Sequence, residues 1–448
     1  MLFFLPLISS ARLYINIGAP KKITKSNLAI SNFRFIEDLE NPPQTDVLSL
    51  GKNMTERFYK NMEFLDYFQI VSPKAYIENL NQVLPAPYPK EILGFRWKSW
   101  EIIGVDFIFF GDYFLKGEDL SVRIYLYNVN LKKRLLKKIY KAKVSQSLKI
   151  VDRISNDIIK KISGYKSIFG TQITATRSTG KFKKELFVMN WNGKDEKRIT
   201  YHNSIVLSPT WSNLGDKIAY STFVHNKKIN KKLNALFLYN FNTNKIKLLY
   251  DGKSALSSDF FRGDREILLS RGLGNGQMDV LKFNIQKKRF TSLIKGPKGV
   301  INVEARIHPQ GDKIVFSSDR EGKTLIYKAT LKGTNVKRIT SSGKHHSYPD
   351  WHPYKKEFVF SAWFEGRMDL FLISEDGKNL RRLTSLKKAN GTWANSESPS
   401  FSPDGRFVVF SSNISGTYQL YLLNLETFSI ERITFNRHNY RSPKWSPY

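Results

Sequence analysis

Four histidines in predicted loops are the residues of this sequence that most directly suggest chemistry. They are His202, His345, His346 and His438. Imidazole is a common metal ligand, so these side chains could hold a divalent ion if the fold brought them together. Their spacing contains no metal-binding signature such as His-Glu-x-x-His, and loop histidines also serve as hydrogen-bonding surface. Metal-dependent catalysis is therefore an alternative that the residues leave open.

Other catalytic signatures are absent from the sequence. It contains no Gly-x-Ser-x-Gly nucleophile elbow, no Gly-x-x-x-x-Gly-Lys-Ser/Thr phosphate loop and no cysteine. These absences exclude a hydrolase with that elbow, a P-loop nucleotide site, a cysteine nucleophile and a disulfide framework. We expect a protein without catalytic residues and without a cofactor.

A motif that recurs six times indicates which elements position the loops. Each copy begins with an aromatic or apolar anchor, and successive anchors are 44 to 50 residues apart: Trp211, Phe260, Ile307, Trp351, Phe401 and Trp445. This period, built from short β-type runs, is typical of propeller blades. The tryptophans at matching positions are expected to pack between blades. Ser-Pro-Asp-Gly at residues 402–405 is expected to form a turn, not a carboxylate site.

The second half of each repeat predicts the rest of a blade. An alternating run, a polar turn and a segment such as Arg-Ile-Thr follow one another, which is the pattern of an antiparallel meander of four strands. The last motif, at residues 445–448, has no strand after it, and residues 171–178 supply the missing continuation. We therefore expect residues 170–448 to form an all-β six-bladed propeller, its ring closed by the C-terminal strand.

Residues 12–169 lack the repeat and predict an α/β domain. Apolar residues at helical spacing mark residues 47–64 and 148–162, and strand patterns mark residues 28–33, 106–113 and 120–128. Helices on a small mixed sheet are the expected outcome. Residues 1–11 look like the remnant of a secretory signal peptide, cleaved after Ala11, with a buried first strand as the alternative.

The formal net charge of +33 would suit a polyanionic partner. The lysines, however, are spread along the whole chain in predicted turns and on polar strand faces, where charge is usually solvated. No recognition helix, zinc finger or single-strand-binding motif accompanies them. We expect no dedicated nucleic-acid partner.

The chain resembles the TolB family, the periplasmic β-propeller proteins of the Tol-Pal system of Gram-negative bacteria. The resemblance covers nearly all of the chain, and it is carried by the two-part architecture, the junction at residues 158–169 and the Trp-Ser-Pro-Tyr end at residues 445–448. It implies a non-enzymatic periplasmic monomer that supports outer-membrane integrity and constriction at cell division. Lyases with similar blades and axial histidines are the alternative.

The resemblance also implies two partners and two sets of contact residues. A peptidoglycan-associated lipoprotein would bind the propeller mouth and hold the protein peripherally at the outer membrane, and a TolA-like inner-membrane protein would bind the N-terminal segment. The mouth loops suggest His202, Lys253, His345, His346, Tyr348, Asn395, Glu397, His438, Asn439 and Arg441. The N-terminal segment supplies Arg12, Leu13, Tyr14 and Ile15. Solvated turns and an ordinary edge strand are the alternatives.

Overall fold

The computed structural model describes residues 13–14, 25–36, 46–65, 67–80, 96–226, 230–341 and 343–448. The chain divides into two compact units, Lys22–Gly170 and Thr171–Tyr448, and the strand Leu13–Tyr14 belongs to the second. The signal-peptide prediction for residues 1–11 lies outside the described residues. Within the described ranges, no helix combines the length and apolar content needed to cross a bilayer.

In its described residues, the first unit is a five-stranded mixed sheet with three helices. Two strand pairs are parallel and two are antiparallel, in the spatial order Phe68–Ile70, Ser26–Phe35, Phe107–Lys116, Asp119–Asn128 and Lys133–Lys143. The helices are α1 (Val47–Phe64), α2 (Trp97–Ile102) and α3 (Ser147–Ser163). Short 3-10 turns occupy Pro73–Ala75 and Val144–Gln146. The α/β prediction is confirmed.

Helix α1 packs on the sheet through the apolar face that its sequence predicts. Met54, Phe58 and Met62 are fully buried, and the ring of Phe58 stacks on Phe109 of a central strand at 4.1 Å. An ion pair joins helix α3 to α1: Asp152 of α3 accepts two hydrogen bonds, of 2.9 and 2.8 Å, from the guanidinium of Arg57 of α1. A charge-assisted bidentate pair of this kind fixes both distance and orientation.

The second unit is a propeller of six four-stranded antiparallel blades, as predicted. From the axis outwards the strands are, in blade 1, Tyr440–Trp445, Gln172–Gly180, Lys183–Asn190 and Lys197–Arg198; in blade 2, Val206–Trp211, Lys217–Asn226, Lys231–Asn240 and Lys245–Tyr250; in blade 3, Ala255–Phe260, Glu266–Gly272, Met278–Asn284 and Arg289–Ile294; in blade 4, Asn302–Ile307, Lys313–Ser318, Leu325–Thr330 and Lys337–Arg338; in blade 5, His346–Trp351, Glu357–Phe364, Arg367–Ser374 and Arg381–Arg382; and in blade 6, Ser396–Phe401, Phe407–Ser415, Thr417–Asn424 and Ser429–Arg432.

The C-terminal strand closes the ring, which confirms the prediction. Tyr440–Trp445 is the innermost strand of blade 1 and pairs antiparallel with Gln172–Gly180, placing Trp445 opposite Ile173. The indole nitrogen of Trp445 donates a hydrogen bond to Thr171 Oγ1 at 2.8 Å. The two ends of the propeller sequence thus share one sheet, and the inner edge of Gln172–Gly180 is paired.

The repeated tryptophans join neighbouring blades, as their positions predict. The Nε1–H of Trp211 in blade 2 donates to the carbonyl of Lys444 in blade 1, and that of Trp351 in blade 5 donates to the carbonyl of Arg306 in blade 4, each at 3.1 Å. Both rings are buried. Gly405 closes the Ser-Pro-Asp-Gly turn at φ +73°, a conformation that glycine adopts without steric cost.

The threonine that ends the Arg-Ile-Thr or Arg-Leu-Thr segment hydrogen-bonds to the third strand of its blade. Thr384 Oγ1 accepts a hydrogen bond from the backbone N–H of Leu370 at 2.9 Å, and Thr200 accepts one from Leu186 at 2.9 Å. These hydroxyls replace a backbone partner at the point where the short outer strand stops. The loop to the next blade therefore starts from a fixed position.

Candidate functional site

The innermost strand of every blade is bulged where it passes the axis. In five blades the bulge contains a residue other than glycine with a φ of +48° to +57°: Ser208, Glu304, Tyr348, Ser398 and Ser442. In blade 3 the irregularity lies between Ser257 and Asp259. A bulge turns the following side chain relative to a regular strand. The residue immediately before each anchor is thereby set at an equivalent place in all six blades.

Four of these six pre-anchor residues are charged, and they form a network on the axis. Arg306 Nε lies 2.9 Å from Asp350 Oδ1, and an Arg306 Nη lies 3.6 Å from Asp259. Lys444 Nζ lies 3.2 Å from the same Asp350 oxygen. Thr210 accepts a hydrogen bond from Arg306 at 3.3 Å. We call Asp259, Arg306, Asp350 and Lys444 the axial network; its two carboxylates face two cations.

Burial governs the titration of the axial network. Burial raises the pKa of Asp259 above its ordinary value. Burial would also raise the pKa of Asp350, but Lys444 and Arg306 outweigh it and hold that pKa low. Burial, reinforced by repulsion from Arg306, lowers the pKa of Lys444. Asp350 is therefore the carboxylate on which both cations depend.

A cavity of about 50 Å³ lies on the axis beside this network. Glu304, Tyr348 and the bulge serines line it together with Arg306 and Lys444. Burial raises the pKa of Glu304, whose carboxylate accepts hydrogen bonds from the Tyr348 backbone N–H at 2.6 Å and from Ser317 Oγ at 2.9 Å. Tyr348, predicted to lie in a mouth loop, belongs instead to the axial lining.

Five polar residues, which we call the mouth cluster, lie together at one end of the propeller. This end carries the loops between successive blades and the turns between the second and third strands, and we call it the mouth end. Glu397 accepts hydrogen bonds from Arg441 and from Tyr418 Oη, the latter at 2.8 Å. The Arg441 guanidinium lies 3.1 Å from the centre of the Tyr418 ring. Asn439 accepts from the Tyr418 N–H at 3.0 Å, and an Asn395 Nδ2 contact with Tyr418 Oη measures 3.4 Å.

An open cavity of about 480 Å³ lies beside this cluster, between blades 6 and 1. Tyr418, Asn439 and Arg441 line it on one side, and Lys183 and Lys184 line it on the other. Burial, followed by repulsion from Arg441, lowers the pKa of Lys184. Four predicted residues, Asn395, Glu397, Asn439 and Arg441, are thus brought together around Tyr418, which the sequence analysis did not single out.

The four candidate histidines do not meet. His202 Nε2 lies 2.9 Å from Tyr220 Oη, and burial lowers the pKa of the ring. His346 is buried against Phe360, at 5.3 Å between ring centres, whereas His345 and His438 are exposed. Throughout the described residues there is no group of three or more His, Asp, Glu or Cys side chains that could hold a metal ion. These four histidines therefore do not form the group of ligands that the metal-site alternative requires.

Two predicted contact sites lie away from the mouth cluster. Lys253 is exposed in the loop between blades 2 and 3, where its Nζ donates to the carbonyl of Leu273 at 3.3 Å. Leu13 and Tyr14 form a short strand that pairs antiparallel with Ile430 and Ser429 at the outer edge of blade 6. Arg12 and Ile15 lie outside the described residues.

The mouth end also carries exposed aromatic side chains with cations over or beside them. Exposed fractions run from 43% to 79%, and the five residues, which we call the aromatic rim, are Phe182, Tyr201, Phe364, Trp393 and Phe435. The distance from cation to ring centre is 3.5 Å for Arg367 at Trp393 and 4.2 Å for Arg198 at Tyr201. Lys181, Arg382 and Arg432 lie 5.0 to 5.6 Å from the other rings. Aromatic and arginine side chains are the types most enriched at protein interfaces.

Repeat position is the signal that could have located both missed groups. The axial network occupies the position immediately before each anchor, and Tyr201 and Phe435 occupy the position immediately after Arg-Ile-Thr. Residue type alone does not reveal either group, because an aspartate before an anchor resembles any turn carboxylate. Aligning the six repeats would have shown that these positions lie on the axis and at the mouth end.

Comparison with known proteins places the second unit in a family. The family model described as the TolB beta propeller domain matches residues 159–385 and 345–448, which together exceed half of the chain. A relative described as Tol-Pal system protein TolB, from Desulfosudis oleivorans, is 27% identical over 210 residues, covering 47% of this chain and 45% of the relative. One with the same description from Nitratidesulfovibrio vulgaris is 23% identical over 287 residues, covering 62% and 61%.

These alignments span about half to three fifths of the length of the two relatives. A solved structure agrees over a longer stretch. The crystal structure of TolB from Acinetobacter baumannii matches with a TM-score of 0.74 and 18% identity, covering 98% of this chain and 99% of that chain. At this identity the likeness establishes the fold. Family match, repeat pattern and fold agree, and the chain belongs to the TolB β-propeller family.

Proposed function

We propose that this protein is a non-enzymatic periplasmic scaffold of the Tol-Pal system. In this proposal it binds a peptidoglycan-associated lipoprotein at the mouth end and a TolA-like inner-membrane protein through its N-terminal segment. It thereby supports outer-membrane integrity and constriction at division. Membership of the TolB family and the description of its relatives as Tol-Pal system proteins support this role. The scaffold acts as a monomer, peripheral to the outer membrane, and needs neither cofactor nor nucleic acid.

The aromatic rim is the observation that carries the lipoprotein part of the proposal. Its rings are exposed at one end of the propeller, whereas aromatic anchors of the repeat such as Trp211 and Trp351 are buried between blades. Hot-spot residues at protein interfaces are mostly Trp, Tyr and Arg. The mouth cluster of Asn395, Glu397 and Arg441 supplies polar contacts beside them. A docked protein would cover the aromatic rings and contact the arginine side chains beside them.

Calorimetric titration with the peptidoglycan-associated lipoprotein of the same organism tests this part. We expect the double variant Trp393→Ala, Phe435→Ala to weaken binding roughly 30-fold or more, since the loss of even one interface hot spot costs about 2 kcal/mol. The matched control is Leu214→Ala, Tyr354→Ala, which removes side chains 74% and 59% exposed in turns at the opposite end. Equal binding by both variants would contradict the mouth-end assignment.

A second titration tests the N-terminal partner separately. The backbone of Leu13–Tyr14 extends the sheet of blade 6, so a partner that binds this segment would compete with or replace that pairing. A variant lacking residues 12–15 is expected to lose binding of the periplasmic domain of a TolA-like protein while binding the lipoprotein as the wild type does. Retained binding of the TolA-like domain would refute this role for the segment.

A further inference from the structure

The most basic stretch of the α/β unit forms an edge strand. Residues 131–143 contain seven Lys and Arg and no Asp or Glu. Within them, Lys133–Lys143 is the last strand of the five-stranded sheet and pairs on one side, with Asp119–Asn128. Lysine on an edge strand also discourages edge-to-edge aggregation, so charge here has a structural use. The arrangement of the cations shows a further use.

The two faces of this strand differ in what lies against them. Tyr140 and Lys138 both reach Asp157 of helix α3, each at 2.6 Å. Lys137, Ile139 and Lys141 alternate with them and therefore point to the other face of the sheet. All three are exposed, and the exposed fraction of Ile139 is 51%. On the second face, Ile139 therefore lies between Lys137 and Lys141, each of which is about 7 Å away along the strand.

Among the described residues, carboxylates pair with fewer than half of the cations in this basic stretch. Three of the seven cations have carboxylate partners: Lys132 with Glu101 at 3.1 Å, Lys138 with Asp157 at 2.6 Å and Lys143 with Asp119 at 3.0 Å. Four have no carboxylate within ion-pair distance among the described residues: Lys133, Arg134, Lys137 and Lys141. Lys133 pairs with Asn128 and therefore points to the same face as Lys138. Arg134, Lys137 and Lys141 lie on the face of Ile139, and we call these three cations and Ile139 the basic face.

We propose that the basic face binds an anionic phospholipid surface. Two of its three cations are lysines, whose compact charge suits diffuse attraction to a charged layer, whereas bidentate recognition of single carboxylates favours arginine. Exposed Ile139 can enter the boundary between headgroups and acyl chains while the lysines stay at the phosphates. Stacking on nucleobases is disfavoured because Tyr125, the aromatic residue paired with Lys137, is buried.

Vesicle co-sedimentation of the full chain tests the proposal. The vesicles contain phosphatidylcholine alone or phosphatidylcholine with phosphatidylglycerol. The wild type is expected to bind only the second kind, with affinity that falls as salt is added. The variant Arg134→Glu, Lys137→Glu, Lys141→Glu keeps the edge charged, so its folding is preserved, and is expected to bind roughly a hundredfold more weakly, at about fivefold for each cation lost.

A matched control separates the basic face from overall charge. Lys245→Glu, Lys247→Glu, Arg289→Glu reverses two lysines and one arginine on exposed outer strands of blades 2 and 3, giving the same net charge. This control is expected to bind the anionic vesicles as the wild type does. The proposal is overturned if both triple variants lose binding equally. It is equally overturned if the wild type binds no vesicles, or binds a DNA duplex or polyglutamate but no vesicles.

Discussion

The axial network predicts a specific pattern of stability in two variants. Substituting Lys444→Met removes one cation from a buried group of four charges and leaves Asp350 with Arg306 as its single charged partner. The carboxylate keeps two contacts, with Arg306 Nε at 2.9 Å and with the Phe401 N–H at 2.8 Å. Asp259 depends on the same arginine. Two carboxylates must then share one cation inside the propeller.

The expected loss of stability follows from the contact that Lys444→Met removes and the contacts that Asp350 keeps. Removing one partner of a buried ion pair costs about 3 to 5 kcal/mol, because the other charge stays buried without compensation. Asp350 retains two contacts, so we expect the lower end, a fall of about 3 kcal/mol in the free energy of unfolding. The double variant Lys444→Met, Asp350→Asn removes both charges of the pair and leaves Arg306 with Asp259. It should recover to within about 1 kcal/mol of the wild type.

Urea unfolding followed by tryptophan fluorescence measures both variants. Six of the eight tryptophans lie in the propeller, so the signal reports mainly on that unit. Lys355→Met, which removes an exposed ion pair with Glu357 at 3.7 Å, is the control and should leave the unfolding midpoint unchanged. The reasoning is refuted if Lys444→Met unfolds like this control, or if the double variant is no more stable than the single one.

Two further predictions concern contacts between blades. Burial, followed by repulsion from Lys355, lowers the pKa of His352 to about 4. The unfolded chain therefore takes up that proton at a higher pH, and stability should fall by up to about 3 kcal/mol as the pH drops from about 6.5 to about 4. His352→Ser, the residue found at this position in three other blades, should flatten that part of the urea-unfolding profile. Deleting residues 441–448 removes most of the strand that closes the ring and should lower the thermal midpoint; an unchanged midpoint would contradict the closure.

The propeller was predictable because its signals are local and repeated. Each anchor, turn and strand is specified within a few residues, and six copies reveal what one copy would not. The burial of Trp211 and Trp351 between blades follows from their matching positions, and ring closure follows from the incomplete last repeat. The apolar face of helix α1 was predictable for the same reason, since Met54, Phe58 and Met62 follow a single helical period.

The basic edge strand was not predicted because its many charged residues leave no alternation of apolar and polar positions in the sequence. Along Lys133–Lys143 a buried side chain occurs only at Tyr140, so no alternation of apolar and polar residues appears. The strand forms because Asp119–Asn128 offers a complete set of backbone partners. Tertiary pairing here overrides a sequence pattern that by itself indicates a solvated segment.

The axial network shows that the position of a residue within the repeat predicts its environment, whereas its residue type does not. Successive members of the network, Asp259, Arg306, Asp350 and Lys444, are 44 to 94 residues apart in the sequence, and nothing in their local sequence distinguishes them from surface charges. Their neutralising partners lie in other blades. The local sequence of each residue therefore predicts a solvated charge, and only an alignment of the six repeats places these residues together. The same argument explains the histidines. His345 and His346 are adjacent, yet one is exposed and the other is buried against Phe360, because the inner strand begins between them. In a propeller, position within the repeat decides whether a polar side chain reaches the axis, the mouth or the core.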